Sequence, residues 1–434
     1  MSATALIEKL KSRQAHAGVI GLGYVGLPLA VEFGKAGLRV TGIDLDQSKV
    51  DAINAGESYI LDVPTAEVKE LVEKKRLFAT TDFSKLSDVD TINICVPTPL
   101  RKTKDPDLSY IVSAVEEIAK YLKKGQLIIL ESTTYPGTTE EVVRPMLEER
   151  GLKAGEDFLL AFSPERVDPG NPRFQTANIP KVVGGVNAES SQASAVLYGM
   201  SVNTVVPVSS TQVAEMVKLL ENTFRAVNIG LVNELALMCR DMNVNVWEVI
   251  DAAATKPFGF MPFYPGPGLG GHCIPIDPFY LSWKARQFGF ESRFIELAGH
   301  INGGMPRYVV DRVAEALNTV EKALKGSRIH LFGMAYKPDV TDPRESPAID
   351  VAQLLQRRGA IVRYSDPFVP SIDHGDFAMT AVSVEQAFAD GFDCAVITTN
   401  HKAFDYAEIA RKSPLVFDTR NAFKGVSASH VHRL

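Results

Sequence analysis

Cysteine is scarce in this chain of 434 residues, and its four cysteines lie far apart. They are Cys95, Cys239, Cys273 and Cys394. None of them forms a CxxC pair, which argues against a disulfide framework and against a structural zinc site. We therefore expect a protein of the reducing cytoplasm that holds no metal.

Long apolar runs and an excess of basic residues are also missing. No run of about 18 apolar residues occurs, as a membrane span would need, and the first residues carry Glu8, Lys9, Lys11 and Arg13 where a signal peptide would be apolar. The formal net charge is −6, the pI is near 5.8, and the basic residues are dispersed. These features favour neither a membrane nor nucleic acid as a partner.

The composition that remains is typical of a soluble globular protein, with 45% apolar and 23% charged residues. The length exceeds that of one ordinary hydrophobic core and indicates two or three domains.

A dinucleotide-binding motif stands near the start of the chain. A short apolar strand leads into Gly21-x-Gly23-x-x-Gly26, with Tyr24 and Val25 between the last two glycines, and an apolar-periodic helix follows. In this motif the first glycine makes the tight turn, the second admits the pyrophosphate, and the third lets the helix pack on the strand. These five residues are therefore candidate cofactor ligands.

The cofactor type is indicated by an acid at the end of the next predicted strand, Arg39 to Asp44. An acidic residue about 20 positions after the glycines binds the ribose hydroxyls of such cofactors. No arginine follows Asp44 closely, so the 2′-phosphate of NADP would meet an uncompensated carboxylate. The sequence favours NAD.

Further strands alternate with helices, which predicts an α/β, doubly wound domain. The predicted strands are Thr91 to Val96, Gln126 to Glu131, Phe158 to Phe162 and Lys181 to Val186. Polar loops follow three of them: Pro97-Thr98-Pro99, Ser132-Thr133-Thr134 and Ser163-Pro164-Glu165-Arg166. Ligands of such sheets bind outside the carboxyl ends of the strands, where these loops fall.

A long helix is predicted from about Ser209 to Asp241. Ser209 and Gln212 have capping-box spacing, and apolar residues then recur around much of the helix. Lys218 and Asn222 are four residues apart and share one face, which Arg225 continues. The apolar remainder is long enough to pack against a second subunit.

A single cysteine, Cys273, lies in a loop of small and rigid residues. Glycines precede it and prolines follow it: Gly268, Gly270, Gly271, Pro275 and Pro278. With the carboxylate of Asp277 four positions on, this pattern indicates a nucleophile; the open alternative is a small buried hydrophobe in a turn. His272 is not expected to act as its base, because sequence neighbours in a loop usually point apart.

A second α/β unit without a glycine motif is predicted in the last third. Its predicted strands are one from Arg328 onward, Ile361 to Ser365, Cys394 to Thr398 and Leu415 to Asp418. A helix is predicted from Ala348 to Arg358. The sequence thus predicts two Rossmann-like doubly wound domains, 1–208 and 324–434, joined by a long central helix and a helical middle domain, 209–323.

Several independent segments resemble the nucleotide-sugar 6-dehydrogenases, that is, the UDP-glucose/GDP-mannose dehydrogenase family. They are GLGYVGLPLA, VPTP, PDLSYI, STTYPGTT, SPERVDPGN, AEMVKLLENTFRAVNIGLVNELA, GGHCIPIDP and YKPDVTDPRESPA. The amino-acid sequence of the second half is most similar to bacterial members of the family that act on UDP-N-acetylglucosamine. The resemblance covers essentially the whole chain.

The resemblance implies catalytic roles. Cys273 would form a thiohemiacetal and then a thioester at the sugar C6, with Lys218 stabilising the oxyanion and Asn222 assisting. Asp277 and Thr133 would position Lys218 or water, and Glu165 would help to activate the hydrolytic water.

It implies binding roles as well. NAD would also contact Pro97, Thr98, Ser132, Thr133 and Arg344. The UDP-sugar would contact Glu165, Arg166, Val167, Lys218, Asn222, Tyr264, Gly266, Gly268, Gly270, Tyr336 and Lys337. Where many relatives supply an arginine to the neighbouring subunit's site, this chain offers Lys256, which lacks the planar fork.

The implied activity is NAD-dependent oxidation of UDP-N-acetylglucosamine to the uronate for surface polysaccharide (O-antigen) synthesis, by a cytoplasmic homodimer or dimer-based oligomer. UDP-glucose, UDP-N-acetylmannosamine and UDP-N-acetylgalactosamine are alternative substrates. Two other classes stay open: a two-electron β-hydroxyacid dehydrogenase, which needs neither Cys273 nor a third domain, and a noncatalytic nucleotide-sugar-binding protein.

Overall fold

The computed structural model describes residues 2–60, 62–100, 105–168, 173–174, 176–271, 273–375 and 377–434. The chain forms two compact units, Met1–Glu221 and Asn222–Leu434. The boundary falls within one long helix. The predicted three-domain division is a finer one and stays a prediction.

The first unit alternates strands and helices. Its elements are α1 Ala3–Lys11, β1 His16–Ile20, α2 Gly26–Lys35, β2 Arg39–Ile43, α3 Gln47–Asn54, α4 Thr65–Glu73, β3 Leu77–Thr80, β4 Thr91–Ile94, α5 Ser109–Tyr121, β5 Leu127–Leu130, α6 Arg144–Glu148, β6 Leu159–Phe162, β7 Lys181–Gly185, α7 Ala188–Tyr198 and β8 Val205–Pro207.

These strands form an eight-stranded sheet in the order β3-β2-β1-β4-β5-β6-β7-β8. All neighbouring pairs are parallel except β6 and β7, which run antiparallel. The first six strands have the doubly wound order of dinucleotide-binding folds, as predicted. β3 and β8 were not predicted: β3 is buried only at alternate residues and β8 is mostly exposed, so neither is a continuous apolar run like β4 to β6.

Helices cover both faces of this sheet, as the alternation of buried residues along β5 illustrates. Leu127 and Ile129 belong to one hydrophobic cluster, and Ile128 and Leu130 belong to another. Successive side chains of a strand point to opposite faces, so a strand buried on both sides is apolar throughout. The carboxyl ends of the strands are left to bind ligands.

The long helix α8, Thr211–Asp241, leads into the second unit. The elements that follow are α9 Val246–Ala253, α10 Asp277–Gln287, α11 Arg293–Asn318, β9 Arg328–Phe332, α12 Pro347–Arg357, β10 Ile361–Ser365, β11 Ser371–His374, β12 Phe377–Thr380, α13 Val384–Asp390, β13 Cys394–Ile397, α14 Tyr406–Lys412, β14 Val416–Asp418 and β15 Val431–Arg433.

The second sheet is entirely parallel, in the order β10-β9-β13-β14-β15. A small hairpin of β11 and β12 stands apart from it. This confirms a second doubly wound sheet, with the strand order 2-1-3-4-5. The order reverses between β9 and β13, so the carboxyl ends of these two strands mark the expected ligand crevice of this sheet.

The start of α8 differs from the prediction by one residue. The hydroxyl of Ser210, not that of Ser209, accepts the N–H of Val213 at 3.2 Å, and the helix begins at Thr211. Adjacent serines offer the same capping chemistry, so spacing alone could not choose between them.

None of the helices in the described ranges combines the length and the apolar composition that a membrane crossing requires.

Candidate active site

The glycine loop after β1 has the geometry of a dinucleotide cradle. Gly21 has φ of 87°, and a Cβ there would lie 2.6 Å from the carbonyl oxygen of Cys95. A Cβ on Gly26 would lie 1.8 Å from the oxygen of Gly21. Both glycines are thus required by packing within the protein.

Gly23 differs, because a Cβ built on it meets no described atom within 4 Å. The packing of the chain therefore gives no reason for a glycine at this position, and the open space beside the N-terminus of α2 fits the pyrophosphate of a dinucleotide. Tyr24 is 43% exposed next to it. The residues of the loop fit NAD.

Asp44 follows β2, where the sequence predicts the ribose ligand. Its carboxylate accepts the N–H of Leu22 at 2.8 Å and lies 3.4 Å from Nζ of Lys49. Asp44 is therefore tied to the glycine loop itself. No arginine follows Asp44 closely, but the expectation of an uncompensated carboxylate is wrong, because Lys49 reaches it from the first turn of α3.

Two of the predicted cofactor loops meet at the carboxyl edge of the first sheet. Pro97 and Thr98 follow β4, and Ser132 and Thr133 follow the neighbouring β5. The hydroxyl of Ser132 donates to the carbonyl of Val96 at 2.8 Å, which joins the two loops. The strand order thus places these four candidates beside each other.

Glu165 follows β6 at the same edge. One carboxylate oxygen accepts the backbone N–H groups of Arg166 and Val167, at 2.7 and 2.8 Å. The other oxygen lies 3.1 Å from Nζ of Lys181. Lys218 of α8 donates from Nζ to the carbonyl oxygen of Glu165 at 2.6 Å. The structure thus brings the predicted Glu165 and Lys218 together.

The charge on Glu165 is set by its neighbours. Burial by itself would raise the pKa of this carboxyl group, but the charge of Lys181, the N–H of Val167 and the charge of Lys218 lower the pKa below its ordinary value. Glu165 is therefore ionised at neutral pH. Arg166 is turned away into an ion pair with Glu221, 2.6 Å long.

In the second unit, Asn222, Cys273 and Asp277 form a connected group. Asn222 donates from Nδ2 to the carboxylate of Asp277, which is 2% exposed. The carbonyl of Cys273 accepts the N–H groups of Ile276 and Asp277, at 3.1 and 2.8 Å. The cysteine thus begins the turn that leads into α10. His272 lies outside the described residues.

Burial distinguishes the four cysteines. Cys95, Cys239 and Cys394 are buried, whereas Cys273 is half-buried. Burial, followed by the charge of Glu131, raises the pKa of the Cys95 thiol well above its usual value, and burial likewise raises the pKa of Cys394. Since the thiolate is the nucleophile, Cys273 is the best placed of the four to react.

The glycine-rich run before Cys273 packs against loops of the second sheet. A Cβ on Gly270 would lie 2.8 Å from Cβ of Tyr336, and one on Gly266 would lie 2.6 Å from the guanidinium of Arg420. Gly268 has φ of 140°. The run therefore needs small residues for close packing, against Tyr336 at one glycine and against Arg420 at another.

Arg420 was not among the predicted site residues. It follows β14, and its Nε donates to the carbonyl of Thr398 at 2.9 Å. Burial lowers its pKa to about 10, although the charge of Asp418 acts to raise it. An arginine after a strand carries no signal at the sequence level; its contact with the glycine run emerges only from the fold.

Other predicted binding residues have varied surroundings. Nζ of Lys337 lies 5.7 Å from the ring centroid of Tyr336. Arg344 is engaged with both carboxylate oxygens of Asp342, at 2.9 and 2.8 Å. The hydroxyl of Tyr264 donates to Asp251 at 2.9 Å. Lys256 is exposed, with Nζ 5.0 Å from the ring centroid of Phe258.

An unpredicted buried pair holds the loop that carries Tyr336 and Lys337. The carboxylate of Asp366 accepts the N–H groups of Met334 and Ala335, and it lies 2.9 Å from Nε2 of His401. Nδ1 of His401 accepts the N–H of Asp339. The pair thus anchors both ends of the loop at the carboxyl ends of β9 and β13.

Sequence models of one family match three successive segments of the chain. This family is the UDP-glucose/GDP-mannose dehydrogenase family. The model of its NAD-binding domain matches residues 15–202, that of its central domain 212–303 and that of its UDP-binding domain 330–425.

Individual relatives agree with this match. A UDP-N-acetyl-D-glucosamine 6-dehydrogenase of Pseudomonas aeruginosa is 38% identical over 389 residues, covering 89% of this chain and 90% of the relative. A UDP-N-acetyl-D-mannosamine dehydrogenase of Salmonella typhi is 40% identical over 353 residues, 78% of this chain and 82% of the relative. The solved structure of a UDP-D-ManNAc dehydrogenase from Pyrococcus horikoshii superposes with a TM-score of 0.88 at 34% identity, covering 96% and 98% of the two chains.

Proposed function

Because this chain belongs to the UDP-glucose/GDP-mannose dehydrogenase family, we propose that it oxidises the C6 hydroxymethyl group of UDP-N-acetylglucosamine to a carboxylate. It is an oxidoreductase, and NAD is its cofactor. A UDP-sugar is its substrate class. The sugar, the mechanism and the residue roles that follow are the proposed part.

The chemistry requires a means of retaining an intermediate. A primary alcohol becomes a carboxylate by loss of four electrons, and NAD, when bound, accepts a hydride in each of two successive oxidations. The first oxidation yields an aldehyde. Attack of the Cys273 thiolate on C6 forms a thiohemiacetal, whose oxidation gives a thioester that water cleaves to the carboxylate and the free thiol.

The single observation that carries this proposal is the environment of Cys273. It is the half-buried cysteine of the chain, it begins the turn into α10, and the Asp277 of that turn is held by Asn222. A cysteine kept only for packing would be buried, as the other three are. This arrangement favours covalent catalysis.

The remaining catalytic residues have electrostatic roles in the proposal. The ammonium group of Lys218 stabilises the oxyanion of each tetrahedral adduct and Asn222 assists, a contribution of about 3 to 4 kcal/mol for donors of this kind. Thr133 and Asp277 position Lys218 or water. Glu165, held ionised, accepts a hydrogen bond from the hydrolytic water and helps to activate it.

We assign the binding residues by the same reasoning. NAD would be held by the glycine loop, Asp44, the loops after β4 and β5, and Arg344. The UDP-sugar would be held by the glycine-rich run and its neighbours: Arg166, Val167, Tyr264, Gly266, Gly268, Gly270, Tyr336 and Lys337. Lys256 would serve the site of a neighbouring subunit.

The epimer of the sugar is the least constrained part. Relatives named for N-acetylglucosamine and for N-acetylmannosamine have similar identities, 38% and 40%. The gluco epimer is supported by the amino-acid sequence from Pro257 to Leu281, which resembles that of bacterial members acting on UDP-N-acetylglucosamine. The product, a uronate, would serve surface polysaccharide synthesis.

The test is NAD reduction with a panel of UDP-N-acetylglucosamine, its manno and galacto epimers, and UDP-glucose, with the product identified by mass. We expect two NADH per UDP-N-acetylglucosamine and a carboxylate product. One NADH per substrate would instead support a two-electron hydroxyacid dehydrogenase. If no UDP-sugar supports NAD reduction, the chain is a noncatalytic binding protein. If another epimer is preferred, that epimer and not UDP-N-acetylglucosamine is the substrate.

A further inference from the structure

A buried lysine lies between two carboxylates at the edge of the first sheet where ligands bind. Lys181 is the first residue of β7, and because β7 runs antiparallel to β6, its start lies beside the segment that follows β6. Its side chain is 6% exposed. Nζ is 2.6 Å from the carboxylate of Glu131 and 3.1 Å from that of Glu165.

The Glu131 side of this cluster is rigid. Glu131 follows β5, its side chain is fully buried, and its second carboxylate oxygen accepts hydrogen bonds from Nδ2 of Asn93 and the hydroxyl of Tyr198. The ammonium group of Lys181 also lies 5.2 Å from the ring centroid of Tyr198. The position of Lys181 is therefore fixed from three elements.

Stability alone does not account for a charged cluster here. Burying charges costs free energy, and apolar side chains of similar volume often replace a buried ion pair with no loss of stability. Lys181 supplies one positive charge to two carboxylates, and one of them, Glu165, belongs to the proposed site. Buried charges that perturb a neighbour at a ligand-binding edge favour a functional reason.

We propose that Lys181 is a positioning residue for the reaction, which acts by orienting the carboxylate of Glu165. With the N–H groups of Arg166 and Val167 on one oxygen and Lys181 on the other, the carboxylate has one arrangement. The inference rests on the proposed function, in which Glu165 acts on the hydrolytic water.

A consequence for pH dependence follows from the groups that face Glu165. They are Lys181 on β7, Lys218 on α8 and Cys95 after β4, and Glu131 after β5 binds the same ammonium group of Lys181. Burial raises the pKa of Glu165, and Lys181 is the largest influence that lowers it. Without the charge of Lys181 that pKa rises, so Glu165 takes up its proton at a higher pH.

The experiment compares Lys181→Met with Lys181→Arg in the full-length protein, using the NADH assay with the UDP-sugar that the wild type oxidises. For K181M we expect kcat to fall about tenfold or more and the acidic limb of the kcat profile to move to higher pH. K181R keeps the positive charge, so it should retain most of the wild-type kcat and a nearly unchanged acidic limb. Lys9→Met, which removes a lysine from a 2.8 Å ion pair with Asp90 at the opposite edge of the sheet, is the matched control.

A double-mutant cycle shows whether Lys181 acts through Glu165. If it does, K181M/E165Q is no slower than E165Q alone; effects that multiply would overturn the inference, as would wild-type kinetics and pH profile in K181M. If K181M fails to fold, the cycle is run in Glu131→Gln, which removes the carboxylate left without its cation. Failure of the proposed function is recognised separately: the wild type then oxidises no UDP-sugar, or E165Q is fully active.

Discussion

At the scale of single residues, burial and local hydrogen bonding decide which chemical groups can react. Cys273 is half-buried at the start of a turn, whereas the other three cysteines are buried. In the same way Glu165 is kept ionised by its neighbours, whereas burial raises the pKa of Glu215, on α8, to about 7. Identical side-chain types therefore differ in charge and reactivity according to their surroundings.

The first prediction concerns the nucleophile. Cys273→Ser should lower carboxylate production about a thousandfold or more, because a hydroxyl is a far weaker nucleophile than a thiolate, and should leave NAD binding unchanged. Product mass and NAD titration measure the two. Cys239→Ala, which alters a buried cysteine of α8, is the control and should stay active. Near-normal carboxylate production by C273S would exclude the thioester mechanism.

A second residue-scale prediction concerns the cofactor. Asp44→Ala should weaken NAD binding by roughly 1.5 to 3 kcal/mol, the range for hydrogen bonds to a charged group, since the ribose acceptor and the anchor of the Leu22 N–H are lost together. NADP should be a poor substitute in the wild type. Calorimetric titration checks both, with the exposed Asp51→Ala of α3 as control. Equal kinetic efficiency with the two cofactors would remove Asp44 from this role.

At the scale of elements, α8 organises the first unit's ligand-binding edge as well as the start of the second unit. Glu215 and Lys218 lie one turn apart on this helix. Glu215 accepts hydrogen bonds from the N–H groups of Gly137 and Thr139 and from the Thr139 hydroxyl, which ties the segment after β5 to α8. Lys218 contacts the segment after β6. One helix thus holds two of the site's loops.

The third prediction follows from the burial of Glu215, which raises its pKa from 4.5 to about 7 although the three donors lower it. Between these values the folded protein keeps a proton that the unfolded chain has released, so the free energy of unfolding falls as the pH rises through this window. The decline should be on the order of 3 kcal/mol.

Urea unfolding of the wild type and Glu215→Gln from pH 4.5 to 7 measures this decline, because glutamine cannot titrate. The difference in unfolding free energy, wild type minus E215Q, should decrease as the pH rises. Glu189→Gln, at an exposed acid of α7, should follow the wild type. Parallel curves for E215Q and the wild type would mean that Glu215 has an ordinary pKa.

At the scale of the whole molecule, α8 also presents an apolar stripe. Its exposed large hydrophobic residues repeat at intervals of three, four or seven: Val213, Met216, Leu220, Phe224, Leu231 and Met238. These intervals place all six on one side of a helix. A stripe as long as the helix can bury enough apolar area for a stable contact, at roughly 25 cal/mol per Å² before association costs.

The fourth prediction is that the active species is at least a homodimer held through this stripe. Sedimentation at micromolar concentration should show a dimer for the wild type and a monomer for Leu231→Lys, because a charge in the stripe cannot be buried without cost. Phe78→Lys is the control, since Phe78 of β3 is 51% exposed and Leu231 is 52% exposed. A fully active wild-type monomer would contradict both the predicted homodimer and the proposed role of Lys256 in a neighbouring subunit's site.

Local patterns in the sequence determined the secondary-structure elements and the candidate functional residues. Glycines that need positive φ and apolar runs of strand length are properties of neighbouring residues, so the glycine loop and the doubly wound sheets could be predicted. The isolated cysteine in its loop is a local property as well, and it identified Cys273 as a candidate nucleophile, which stays a prediction. Boundaries were less certain, as the cap at Ser210 illustrates, because adjacent residues with the same chemistry compete.

Only the tertiary structure decided which distant side chains meet. Lys181 between Glu131 and Glu165, Arg420 against Gly266, and the pair of Asp366 with His401 all join residues that no local spacing connects. Their contacts depend on strand order and on the antiparallel direction of β7. Periodicity reports which face of an element is buried, but the partner on the other side is set by the packing of the whole sheet.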